Sequence, residues 1–121
     1  MKILIIDDEE DVRRIVSLSL VHVGHFEVVE AAGGEEGMAM ARSEKPDAIL
    51  LDVMMPVVDG PATLAALRAD PLTRDIPVIF VTAWAMSTEV DRLRTLGAKG
   101  VLTKPFDAMA ISDAVKAILH E

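Results

Sequence analysis

The sequence predicts an α/β domain, a doubly wound (βα)5 three-layer sandwich built on a parallel five-stranded sheet, and three observations predict it. Apolar runs of four or five residues alternate with longer stretches of helical period, the pattern of strands joined by crossover helices. Three runs, Ile3-Leu4-Ile5-Ile6, Ala48-Ile49-Leu50-Leu51 and Val78-Ile79-Phe80-Val81, are continuously hydrophobic, as strands covered on both faces are. Pro46, Pro77 and Pro105 fall at strand entries or exits, where a missing amide proton does least harm.

The elements follow in order. The first strand is Ile3–Ile6, and a helix from Glu10 to about Val23 follows, with Val12, Ile15, Val16, Leu20 and Val23 on one stripe. The second strand, Glu27–Ala31, carries acids at both ends of its run Glu27-Val28-Val29-Glu30. A helix over 34–44 is marked by Met38 and Ala41. Its opening, Gly33-Gly34-Glu35-Glu36-Gly37, lacks the spacing of a phosphate loop and sets two glutamates against any phosphate, so it reads as a turn and helix start. The third strand is Ala48–Leu51, followed by a helix over 60–69 with Leu64 and Leu67. The fourth is Val78–Val81, followed by a helix over 87–96 with Val90 and Leu93. The fifth is Val101–Thr103, and a last helix carries Ile111, Ala114, Val115, Ile118 and Leu119. The three continuous runs are the central strands, while the acidic second and the short fifth belong at the edges. With right-handed crossovers the order is 2-1-3-4-5.

The 121 residues are expected to form a single domain, 1–121, without a linker, repeat or low-complexity segment. A chain this long buries roughly two thirds of its unfolded surface, enough for one core. No run is long and apolar enough for a membrane span, and no secretory leader is visible, so a soluble, cytoplasmic protein is expected. The absence of cysteine excludes disulfides and thiolate chemistry. Twelve Lys and Arg against 20 Asp and Glu leave a net charge of −8, which argues against direct nucleic-acid binding.

In an open parallel sheet, ligands bind beyond the carboxyl ends of the strands, near the point where the strand order reverses. Those ends here are Asp7-Asp8, Asp52, Thr82-Ala83 and Thr103-Lys104-Pro105. Each residue has a plain reading by itself. Asp8 could cap the first helix, Asp52 could form a turn before Pro56 and Gly60, and Lys104 could be a solvated charge. Together, however, the three carboxylates repel one another unless a cation neutralises them. Oxygen ligands with water suit Mg²⁺, and Lys104 supplies a second positive charge. His22, His25 and His120 fall in or beside helices, so no Ser-His-Asp set can be assembled. A carboxylate beside Mg²⁺, a hydroxyl and a lysine suits the receipt of a phosphoryl group.

Four motifs in order, Ile5-Ile6-Asp7-Asp8-Glu9, Leu51-Asp52-Val53-Met54-Met55-Pro56-Val57-Val58-Asp59-Gly60, Val81-Thr82-Ala83 and Lys104-Pro105-Phe106, resemble the receiver domain of bacterial two-component response regulators over essentially the whole chain. The resemblance implies a flavodoxin-like (CheY-like) fold and a phosphorylation-dependent signalling switch. It makes Asp52 the phosphoacceptor, attacking a phosphohistidine of a sensor histidine kinase or phosphotransfer protein, or a small acyl phosphate. Asp8 and Asp52 would bind Mg²⁺ through carboxylates, Met54 through its backbone carbonyl, and Asp7 through a metal-bound water. The Thr82 hydroxyl, the Ala83 amide and the Lys104 ammonium would meet the phosphoryl oxygens, and the Lys104–Pro105 bond would be cis.

Phosphorylation would change affinity for a downstream target through the surface of the fourth helix, fifth strand and fifth helix, with Trp84, Met86, Lys99, Val101 and Met109 as contact residues. The protein would be a monomer or a weak dimer through that surface. The family commonly has an aromatic residue in the fifth strand, where Val101 offers no ring to turn. Bulky Met54 and Trp84 would flank the phosphoryl group and shield it from water. No enzymatic activity is expected beyond gain and loss of phosphate at Asp52. A haloacid-dehalogenase-like phosphatase would need Asp-x-Asp after the first strand and a cap segment, and a phosphorylation-independent binding module would not need every site position filled. No winged-helix, AAA or cyclase segment follows Glu121, so a stand-alone receiver is expected over the excised start of a longer regulator.

Overall fold

A computed structural model describes residues 1–83, 86–104, 107 and 109–120. Strands β1 (Lys2–Ile6), β2 (Glu27–Ala31), β3 (Ala48–Asp52), β4 (Val78–Thr82) and β5 (Gly100–Thr103) alternate with helices α1 (Glu10–His22), α2 (Gly34–Glu44), α3 (Gly60–Ala69), α4 (Ser87–Thr95) and α5 (Ile111–Leu119). All strand pairs are parallel, and the sheet order is β2-β1-β3-β4-β5.

The period of two in a strand divides the core into two layers of side chains. Leu4, Ile6, Ile49, Leu51, Val78 and Phe80 pack with Ala41 of α2, Leu64 and Leu67 of α3 and Leu93 of α4. Their alternates Ile3, Ile5, Leu50, Ile79 and Val81 pack with Val16 and Leu20 of α1 and Ile111 and Val115 of α5. Every residue of β3 and β4 is buried, whereas β2 is largely open to solvent, in keeping with central and edge places.

Two departures from the sequence reading bear on the core and the site. Within the predicted α1 stripe, Ile15 and Val23 are exposed, and the buried residues are Val16, Ser19 and Leu20. Ser19 lies where α1 meets α5, and the buried Ser112 hydroxyl of α5 donates to its backbone carbonyl at 3.1 Å, so the two helices meet through a polar joint. The strands β3 and β4 also each run one residue further than predicted, because the ladder continues through the pairs Asp52–Val81 and Thr82–Thr103. Asp52 and Thr82 are therefore held by sheet hydrogen bonds rather than by loops.

Candidate functional site

β1 and β3 lie side by side and end level, so Asp7 and Asp52 emerge together at the carboxyl edge of the sheet. The Asp7 N–H donates to the Ala31 carbonyl at 3.1 Å, extending the β1–β2 ladder by one bond. Asp7 is 3% exposed and Asp52 4%, while Asp8 points to solvent. Each of the three offers a carboxylate oxygen within 4.8 Å of the others. The helix-capping reading of Asp8 fails, because the N-cap of α1 is Glu9, and that cap has no side-chain hydrogen bond. The turn reading of Asp52 fails as well, since Asp52 closes a buried strand.

Lys104 follows the end of β5, which is separated from β3 by β4. Its N–H donates to the Thr82 carbonyl at 2.8 Å, which carries the chain back over the site. Its Nζ then stands 3.4 Å from Asp7 Oδ2, 3.5 Å from Asp52 Oδ1 and 3.8 Å from Glu9 Oε1. Burial pushes the Asp52 carboxyl up to about 6, with the neighbouring Asp7 charge adding to the rise and Lys104 and the Met54 amide opposing it. Burial works against the Lys104 charge, but Asp52, Asp7 and Glu9 outweigh it and raise its pKa above the ordinary value. The site therefore holds more negative charge than one ammonium neutralises. Its donors are hard carboxylate oxygens converging on one point, a set that fits Mg²⁺.

The loop after β3 is built for close approach. The Gly60 N–H donates to the Val53 carbonyl at 2.9 Å, and a side-chain carbon at Gly60 would lie 2.4 Å from the Asp52 carbonyl oxygen. Asp59 caps α3, its Oδ1 accepting from the Ala62 N–H at 2.8 Å. Ahead of that cap Val57 adopts φ of +66°, and the Val58 N–H donates to the Pro56 carbonyl at 2.8 Å, closing a tight three-residue turn. Met54 is 78% exposed beside Asp52, and Val57 is fully open to solvent.

Thr82 is buried at the end of β4, and Ala83 follows it at the surface. Val101 is half-buried against the layer containing Phe80 and Leu93, while Met86 and Met109 are exposed. Trp84, Pro105 with its peptide bond, and Phe106 lie outside the described residues. His22 ends α1, His25 follows it and His120 follows α5, none of them at a strand's carboxyl end.

Two further contributors are not legible in the sequence. Glu9 stands there only as part of a motif, and its reach to Lys104 depends on the turn into α1. Arg13 donates from Nη1 to the Asp7 carbonyl at 2.8 Å, a contact for which sequence spacing offers no signal.

A doubly wound α/β domain with an acidic, lysine-bearing cluster where β1, β3 and β5 end defines a broad class of α/β proteins, and known proteins narrow it. The response regulator receiver domain family matches residues 3–116. The DNA-binding dual master transcriptional regulator RpaA of Synechocystis is 40% identical, over 98% of this chain and 49% of its own length. The alkaline phosphatase synthesis transcriptional regulatory protein PhoP of Bacillus subtilis is 39% identical, over 98% of this chain and 48% of its own. The chain spans about half the length of the curated relatives it matches. Among solved structures, the chemotaxis response regulator CheY4 of Vibrio cholerae superposes with a TM-score of 0.89 at 31% identity, covering 97% of each chain. The chain belongs to the response regulator receiver domain family, the phosphorylation switches of two-component signalling. The family consists of signalling switches rather than enzymes that turn over an external substrate, and its members take their signal from histidine kinases. No helix among the described residues is long and apolar enough to cross a membrane.

Proposed function

We propose that Asp52 is the phosphoacceptor of this receiver. The observation that carries the reading is the Lys104 ammonium, 3.5 Å from Asp52 Oδ1 and 3.4 Å from Asp7 Oδ2, at the end of a buried strand. An Asp52 oxygen attacks the phosphorus of a kinase phosphohistidine, the P–N bond breaks, and the imidazole leaves neutral when its other nitrogen carries the proton. Transfer of this kind needs positioning and charge neutralisation more than covalent help. Lys104, the Thr82 hydroxyl and the Ala83 amide then receive the phosphoryl oxygens. Asp7, Asp8, Asp52 and the Met54 carbonyl would hold Mg²⁺, which when bound neutralises charge on the transferring group. Water attack on the acyl phosphate releases phosphate and restores the Asp52 carboxylate.

The phosphoryl group draws Thr82 and Lys104 toward itself and so shifts a two-state equilibrium at the surface of α4, β5 and α5, where Met86, Lys99, Val101 and Met109 meet a target protein. The domain acts in the cytoplasm without contacting nucleic acid itself, as a monomer or weak dimer through that surface. Met54, exposed beside Asp52, shields the acyl phosphate from water together with Trp84. Met54→Ser is expected to shorten the phosphate lifetime; an unchanged decay removes Met54 from this role.

The central test is incubation with Mg²⁺ and acetyl phosphate, read by intact mass and amide NMR. One phosphoryl group is expected on the wild type and none on Asp52→Asn. Labelling of the mutant, or spectral shifts at Thr82 and Lys104 that survive in it, would refute the assignment.

A further inference from the structure

Arg13 of α1 has no part in the chemistry above, yet it grips the site at a joint that the other contacts leave free. The Asp7 backbone N–H is held by Ala31, its Oδ1 accepts from the Glu9 N–H at 2.9 Å, and its Oδ2 lies 3.4 Å from Lys104 Nζ. The Asp7 carbonyl accepts from Arg13 Nη1 at 2.8 Å. That carbonyl and the Asp8 amide belong to one rigid planar unit, so a donor anchored on the carbonyl sets the plane from which Asp8 departs. Asp8 is solvent-exposed, and the direction of its carboxylate depends on that plane. The guanidinium is itself anchored, with Nε 3.5 Å from Glu30 Oε1 of β2 and only 16% of the side chain exposed. A fixed fork can hold a carbonyl and a carboxylate at once.

We propose that Arg13 is a positioning residue for a divalent cation, holding the Asp7–Asp8 peptide so that the Asp8 carboxylate converges with those of Asp7 and Asp52. The inference rests on reading that acidic cluster as the Mg²⁺ site. Electrostatics makes it decidable by sign. Removing a positive charge near three carboxylates strengthens divalent-cation binding by Coulomb's law, whereas loss of a positioning contact weakens it. Outer contacts that orient metal ligands typically account for about 10- to 100-fold in metal affinity.

The test is calorimetric titration of the full chain with Mg²⁺, comparing wild type with Arg13→Ala, Arg13→Lys, Asp8→Asn and Arg42→Ala. Arg42 pairs with Asp70 between α2 and α3, so its removal controls for the general cost of losing an arginine ion pair. Roughly 10-fold weaker binding is expected for Arg13→Ala, a smaller loss for Arg13→Lys, which keeps a donor but not the fork, and no change for Arg42→Ala. The Asp8 amide resonance should also move in metal-free Arg13→Lys, which carries the test if the alanine variant does not fold. Binding by either Arg13 variant as tight as wild type, or tighter, overturns the proposal. Failure of the wild type to bind Mg²⁺, or undiminished binding by Asp8→Asn, overturns the cation-site reading itself, and the inference falls with it.

Discussion

Lys104 holds its ammonium 3.5 Å from Asp52 Oδ1 while serving Asp7 at 3.4 Å, so one cation is divided between two buried carboxylates. Removing it leaves both without a countercharge. Lys104→Met is expected to raise the Asp52 pKa further above 6 and to destabilise the fold by about 1–3 kcal/mol at neutral pH, below the range for a fully buried pair because Lys104 is partly solvated. A carboxyl-carbon NMR titration with denaturant unfolding checks both parts. A lower Asp52 pKa in the variant would contradict the pairing.

Asp52 itself opposes folding when charged. Its carboxyl rises from 3.8 to about 6 in the folded chain, so the folded state binds the proton more tightly. Stability from this group is full below 3.8, declines as pH rises through the interval, and is lost above about 6. The full interval corresponds to at most about 3 kcal/mol. Asp52→Asn is therefore expected to melt higher than wild type at pH 7.5 without Mg²⁺, with the gap closing near pH 4. Thermal melts across that range decide it, and a gap that does not depend on pH would exclude Asp52 ionisation as the cause.

Gly60 is where the loop presses on the site. A methyl group there would lie 2.4 Å from the Asp52 carbonyl oxygen and 2.8 Å from Val53 Cα, both backbone atoms that cannot swing aside. Gly60→Ala is expected to cost about 1–3 kcal/mol, as overpacking does, and to weaken Mg²⁺ binding by displacing Asp52. Chemical denaturation and a Mg²⁺ titration measure the two effects.

Val57 stores strain in the same loop. A β-branched residue at φ of +66°, fully exposed, gains no packing in return for a left-handed backbone. Val57→Gly is expected to stabilise the domain by about 1 kcal/mol, the relieved strain exceeding the added entropy of the unfolded chain. A lower unfolding midpoint for the glycine variant would show that the turn is not strained.

Sequence alone determined the number, type and order of the elements. Continuous apolar runs mark strands buried on both faces, and the acids of β2 and the brevity of β5 mark edges, which is enough to order the sheet as β2-β1-β3-β4-β5. Asp7, Asp8, Asp52, Thr82 and Lys104 were legible as a group because the parallel topology brings strand ends to one edge, whatever the side chains do. Only the tertiary structure decided how those groups share charge: that Lys104 is divided among Asp7, Asp52 and Glu9, that burial raises Asp52, and that Arg13 grips the Asp7 carbonyl. The exposure of Ile15 and the burial of Ser19 belong to the same category. Periodicity reports which face of an element is apolar, a local property of one segment. Desolvation, ion pairing and contacts between a side chain and a distant backbone depend on distances of a few ångströms between segments far apart in the chain, and those distances exist only once the layers have packed.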